Sequence, residues 1–101
     1  MRARKTDANH AAIRQALRDA GASVLDLSGA GRGCPDLLIG YQGRNILCEC
    51  KDGKKIPSRQ KLTDAQVEFF DSWLGQVAKV TTPEEAVALL NDAQFGRRAN
   101  L

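Results

Sequence analysis

The chain has 101 residues, a net charge of +3 and a pI of about 9.0, which is enough for one modest hydrophobic core. Hydrophobic residues make up 43% of it, a share that excludes a disordered chain. No apolar run approaches the roughly 20 residues that a membrane-spanning helix needs, so no membrane partner is expected. The basic start Met1-Arg2-Ala3-Arg4-Lys5-Thr6 leads into a polar stretch rather than an apolar segment, so no secretory signal is expected and the chain is placed in the cytoplasm.

Asp7 to Ala20 sets Ala12, Ile13, Ala16, Leu17 and Ala20 at helical spacing and ends at Gly21, which predicts a first helix capped by Thr6 or Asp7. His10, the only histidine, is expected on its exposed side. Ser23 to Leu27 reads as a strand. The loop Gly29-Ala30-Gly31-Arg32-Gly33 then delivers the chain to Pro35. Its glycines precede a strand and lack the G-x-G-x-x-G spacing, which excludes a dinucleotide fingerprint, and no organic cofactor is expected.

Leu37 to Tyr41 and Asn45 to Lys51 flank Gln42-Gly43-Arg44 and read as a hairpin. Asp52 to Lys61 is expected to be an irregular, mobile basic loop, with Pro57 opposing regular structure. A second helix, roughly Asp64 to Leu74, opens at Thr63 and stops at Gly75. Val67, Phe70, Trp73 and Leu74 form its apolar stripe, and Phe69, Phe70 and Trp73 are assigned to the core in preference to a dimer surface. Val77 to Val80 is a fourth strand, and Thr82-Pro83-Glu84-Glu85 starts a helix that runs through Leu90. Asn91 to Leu101 carries no pattern and is expected to fray. The order predicts a single α/β domain with a mixed sheet flanked by helices, its core spanning about residues 6 to 90, with a basic N-terminus and a C-terminal tail that are flexible.

The chemistry concentrates on the hairpin. If Gln42-Gly43 is the loop, Tyr41 faces Arg44 and Asp36 lies opposite Glu49, with Cβ atoms roughly 4.5–5.5 Å apart. If Gly43-Arg44 is the loop, Asp36 faces Lys51 instead, and a three-residue loop with a bulge would change the register again. Lys51 shares the face of Glu49 because strand side chains alternate. Two opposed carboxylates need a compensating cation. Lys51 can supply part of it, or a hard divalent ion can be held by Asp36, Glu49 and the Cys50 backbone carbonyl. The bland alternative is a surface ion-pair cluster. Lys54, Lys55, Arg59 and Lys61 follow at once, and such a basic cluster suits a phosphate backbone.

Cys34, Cys48 and Cys50 are an odd set without a disulfide framework. A zinc site joining them to His10 lacks the C-x₂₋₄-C spacing and is not expected. Cys48 and Cys50 are assigned to one strand face as small buried hydrophobes.

In combination, Gly33-Cys34-Pro35-Asp36-Leu37-Leu38-Ile39-Gly40, Leu47-Cys48-Glu49-Cys50-Lys51 and Leu62-Thr63-Asp64-Ala65-Gln66 resemble the PD-(D/E)XK nuclease superfamily, and more narrowly its small VRR-NUC and phage Holliday-junction-resolvase-like domains. The resemblance implies a restriction-endonuclease-like fold, with Asp36 and Glu49 binding Mg²⁺ (Mn²⁺ substituting) and Lys51 either orienting the attacking water or offsetting charge that develops on the phosphate. Gln66 matches a glutamine that reaches such sites from the second helix. It also fits a capping box with Thr63, and both roles stay open. Many relatives carry an acidic residue on the first helix. The nearest positions here are Asp7 and Asn9, and Asn9 brings no charge.

The expectation is therefore a Mg²⁺-dependent DNA endonuclease, possible preferences including junctions and flaps, in a bacterial or phage-infected cell. Arg32, Lys54, Lys55, Arg59 and Lys61 would hold DNA, and a homodimer would let two sites cut two strands. The alternative is a nuclease-fold DNA-binding or assembly protein with little activity. A metal or redox module built on the cysteines is a third, minor reading.

Overall fold

The computed structural model describes residues 8–92 and Phe95. The N-terminal basic cluster, the expected caps Thr6 and Asp7, and most of the C-terminal tail lie outside the described residues. Helix α1 (Ala8–Asp19) leads to strand β1 (Ser23–Asp26), then β2 (Leu37–Tyr41) and β3 (Arg44–Cys50). A short helix α2 (Pro57–Gln60), helix α3 (Asp64–Ser72), strand β4 (Val77–Val80) and helix α4 (Pro83–Leu90) complete the order. The four strands form one mixed sheet in the order β1-β2-β3-β4, antiparallel except for the parallel β3–β4 pair. This is the expected α/β domain with a mixed sheet.

The hairpin register is set by its turn. Tyr41 pairs with Arg44 and Leu37 with Cys48, so Gln42-Gly43 is the two-residue loop. Both have positive φ, +51° at Gln42 and +77° at Gly43, the signature of a turn whose twist matches that of the strands it joins. Continuing the register by one residue sets Asp36 against Glu49.

The core forms on one face of the sheet. Ile13 and Leu17, one helical turn apart on α1, are fully buried with Leu37, Ile39 and Cys48, and Ala86 and Leu90 of α4 join them. Cys48 thus fills the expected hydrophobic place, with Cys50 half-buried beside the same cluster. Phe95 departs from the expected fraying of the tail. It is 1% exposed, meets the Tyr41 ring edge-on at 6.2 Å between centroids, and accepts a 2.8 Å hydrogen bond at its carbonyl from Arg44. The Arg44 guanidinium also lies over its ring.

Two further expectations are corrected. Residues 57–60 form a helical turn, because Pro57 occupies its first positions, where a missing N–H costs nothing. Gln60 ties the preceding segment to it by donating to the carbonyls of Lys55 and Gly53. Helix α3 ends at Ser72 and buries none of its residues, so its apolar stripe does not serve the core. Trp73 is 46% exposed and stacks on Phe69, and Val67 and Leu74 are also exposed. Helix α4 begins as expected, with the Thr82 hydroxyl accepting from the Glu85 N–H. The Glu85 carboxylate turns back one residue further, to Thr81, whose N–H and hydroxyl hold it below the usual carboxyl range.

Candidate metal and phosphate site

Three chain segments meet where β2 begins and β3 ends. Asp36 enters this corner just before β2 and is 8% exposed. Its Oδ2 accepts the Cys50 backbone N–H at 2.9 Å, so strand geometry fixes the direction of its carboxylate. Glu49 lies on β3 and is 3% exposed. Lys51 Nζ stands 3.6 Å from Glu49 Oε2, with both side chains largely buried. The Asp36, Glu49, Lys51 cluster expected from the sequence therefore converges, and the Cys50 carbonyl belongs to the same strand end.

Gln66 joins it from the first turn of α3, where it makes the expected cap and also reaches Glu49. Its Oε1 accepts the Thr63 N–H at 2.8 Å while the Thr63 hydroxyl accepts the Gln66 N–H at 3.2 Å, a reciprocal capping box. An amide has a second end. The same Gln66 donates through Nε2 to Glu49 Oε2 at 3.0 Å. The cap thereby fixes the rotamer that reaches the carboxylate.

The electrostatics follow from this crowding. Burial, then the neighbouring Asp36 charge, pushes Glu49 up to about 7, with Lys51 pulling the other way. Both donors address Oε2. Glu49 Oε1 is buried with no hydrogen-bond partner among the described residues. A buried carboxylate oxygen without a donor carries a desolvation cost that a proton shared with Asp36, or a cation, would relieve. The residues present thus fit a divalent ion of the oxygen-preferring class.

Two residues not singled out for these roles set the geometry. Gly33 has φ +74°, and a Cβ there would overlap the Ala65 carbonyl, so only glycine lets this loop pass against the start of α3 beside Gln66. This close approach is a tertiary contact that the local sequence of the glycine-rich loop does not announce. Asn9, considered only as a weak substitute for an acidic ligand, has a structural use. Its Nδ2 donates to the carbonyls of Lys51 at 2.8 Å and Thr81 at 3.2 Å, tying the start of α1 to the ends of β3 and β4. Asp7 lies outside the described residues.

His10 departs most from expectation. It is 5% exposed rather than on the outer side of α1, and its ring nitrogen, an Asp36 carboxylate oxygen and Cys50 Sγ all lie within 4.8 Å of one another. The basic residues Arg32, Lys54, Lys55, Arg59 and Lys61 are exposed, as a surface for an anionic partner requires. Among the described residues no helix is long and apolar enough to cross a membrane. Comparison with protein-family models, curated proteins and solved structures returns no match.

Proposed function

We propose that this chain is a metal-dependent endonuclease of the PD-(D/E)XK type, with a restriction-endonuclease-like arrangement of its sheet and helices, hydrolysing DNA phosphodiesters. The observation that carries this reading is the convergence of Asp36, Glu49, Lys51 and Gln66, with a buried Glu49 oxygen left unpartnered. Asp36 and Glu49 would hold Mg²⁺ or Mn²⁺, with the Cys50 carbonyl as a further oxygen. Bound there, the ion would supply Lewis acidity at a phosphate oxygen and a more acidic water.

The protein's own groups do the rest. Cys50 N–H and Gln66 Nε2 hold the two carboxylates in position, so neither has to reorganise when substrate arrives. Lys51, 3.6 Å from Glu49 Oε2, stands at the corner where it would offset negative charge growing on the phosphate. The exposed Lys54, Lys55, Arg59, Lys61 and Arg32 would bind flanking phosphates without reading sequence. DNA and a second copy of the chain are the partners of this reading, and light scattering tests the dimer.

Labelled four-way junction, flap, nicked, single-stranded and duplex DNA, incubated with Mg²⁺, Mn²⁺ or EDTA, tests the activity. Metal-dependent cutting supports it. Binding without cutting in any metal would instead favour the DNA-binding or assembly role.

A further inference from the structure

We propose that His10, Asp36 and Cys50 form a binding site for a borderline transition-metal ion of the zinc and cobalt class. This site shares Asp36 with the proposed Mg²⁺ site but does not depend on the nuclease reading. Three chain segments supply it: His10 from α1, Asp36 from just before β2 and Cys50 from the end of β3. Their donor atoms lie mutually within 4.8 Å. His10 and Asp36 are buried, and Cys50 is half-buried.

The donor chemistry selects the ion. Mg²⁺ and Ca²⁺ take oxygen ligands, whereas one imidazole nitrogen, one carboxylate oxygen and one sulfur suit Zn²⁺ or Co²⁺. Donors bound at about 2.0–2.3 Å around a tetrahedral centre stand roughly 3.3–3.8 Å apart. The three side chains therefore need to close by at most about 1.5 Å, within reach of small rotamer changes around a tetrahedral centre. Water would take the fourth position. Binding forms one metal–sulfur bond, and the Cys50 thiol proton leaves to solvent.

Neighbouring contacts hold the donors. Asn9, adjacent to His10, clamps the Lys51 carbonyl, so the α1 start and the β3 end are fixed to each other. The Cys50 N–H bonded to Asp36 Oδ2 aims the carboxylate at the residue that carries the thiol. A zinc site joining the cysteines to His10 is not expected from a sequence that lacks the C-x₂₋₄-C spacing. Here the fold, not the spacing, gathers the ligands.

The test is Co²⁺ titration of the reduced, EDTA-stripped full-length chain, followed by absorption. Wild type should saturate at one equivalent with visible d–d bands and a near-ultraviolet thiolate-to-cobalt charge-transfer band. Cys50→Ser should lose the charge-transfer band, His10→Ala should weaken Co²⁺ binding at least tenfold, and Cys34→Ser should change neither. Glu49→Gln should keep the full spectrum even though the proposed DNA cleavage slows by about a hundredfold or more, which separates this proposal from the nuclease reading. No charge-transfer band in folded wild type overturns the site, whatever the variants do. A band that survives Cys50→Ser, or one that disappears in Glu49→Gln, overturns it as well.

Discussion

Gln66 donates to Glu49 Oε2 at 3.0 Å while its own carbonyl oxygen accepts the Thr63 N–H at 2.8 Å, so a helix cap and a candidate catalytic contact share one side chain. The two uses can be separated. Thr63→Ala removes the hydroxyl half of the cap and should cost about 1 kcal/mol of stability with less than a threefold change in DNA cleavage. Gln66→Ala should cost a similar amount but lower cleavage at least tenfold, because Glu49 loses its amide donor. Urea unfolding paired with single-turnover cleavage measures both, and equal cleavage by the two variants would reduce Gln66 to a cap.

Gly33 and Gly43 both have positive φ but differ in what surrounds them. Gly43 faces open space, so Gly43→Ala should cost only the backbone strain, about 1 kcal/mol. Gly33→Ala must also push the Ala65 backbone away. It should cost about 2 kcal/mol or more, and lower cleavage beyond the stability loss by moving Gln66. Comparable unfolding midpoints for the two variants would contradict this contact.

The raised Glu49 links stability to pH. Its folded value of about 7 lies above the ordinary value of 4.5. Between those pH values the folded state holds a proton that the unfolded state has released. The metal-free protein should therefore lose stability as pH rises from about 4.5 to about 7, and Glu49→Gln should remove that slope. Mg²⁺ requires the ionised carboxylate, so its affinity should rise with pH across the same range. Urea unfolding in EDTA at several pH values, wild type against Glu49→Gln, checks the first statement, and an unchanged slope in the variant would assign the effect to another group.

Lys54 and Lys55 are exposed and follow Lys51 closely in the chain. Each phosphate contact contributes roughly 0.9 to the slope of log affinity against log salt on duplex DNA. Replacing both lysines by alanine should flatten that slope by about 1–2, with a similar loss for every sequence. An unchanged slope would place the DNA elsewhere.

Part of the corner was legible because it is local. The hairpin and its chemistry-bearing residues follow from the sequence, but its register stays open between neighbouring loops until the pairing of Tyr41 with Arg44, with positive φ at Gln42 and Gly43, sets Asp36 against Glu49. The Gln66 cap was legible from Thr63 and its spacing, but the second bond of its amide is a tertiary event. His10 was not legible, because its nearness to Asp36 and Cys50 is a tertiary event that the sequence of α1 does not announce. The stripe on α3 misled for a related reason, since periodicity shows that a helix has an apolar face without showing what covers it. Pro57 was read as a breaker, although at a first helical position it starts a turn. Phe95 stands beyond the last periodic element, and its burial depends on Tyr41 and Arg44 at the far end of the sheet's hairpin.

Glu49 is the residue on which the proposed chemistry depends most. The most direct measurement is single-turnover cleavage of labelled DNA by wild type and Glu49→Gln in Mg²⁺, Mn²⁺ and EDTA, with folding verified by circular dichroism. Wild type should cut only with a divalent ion, and Glu49→Gln, which keeps the shape but not the charge, should be slower by about a hundredfold or more. A folded Glu49→Gln that cuts at the wild-type rate would contradict the site, and wild type that binds DNA but never cuts it would contradict the activity.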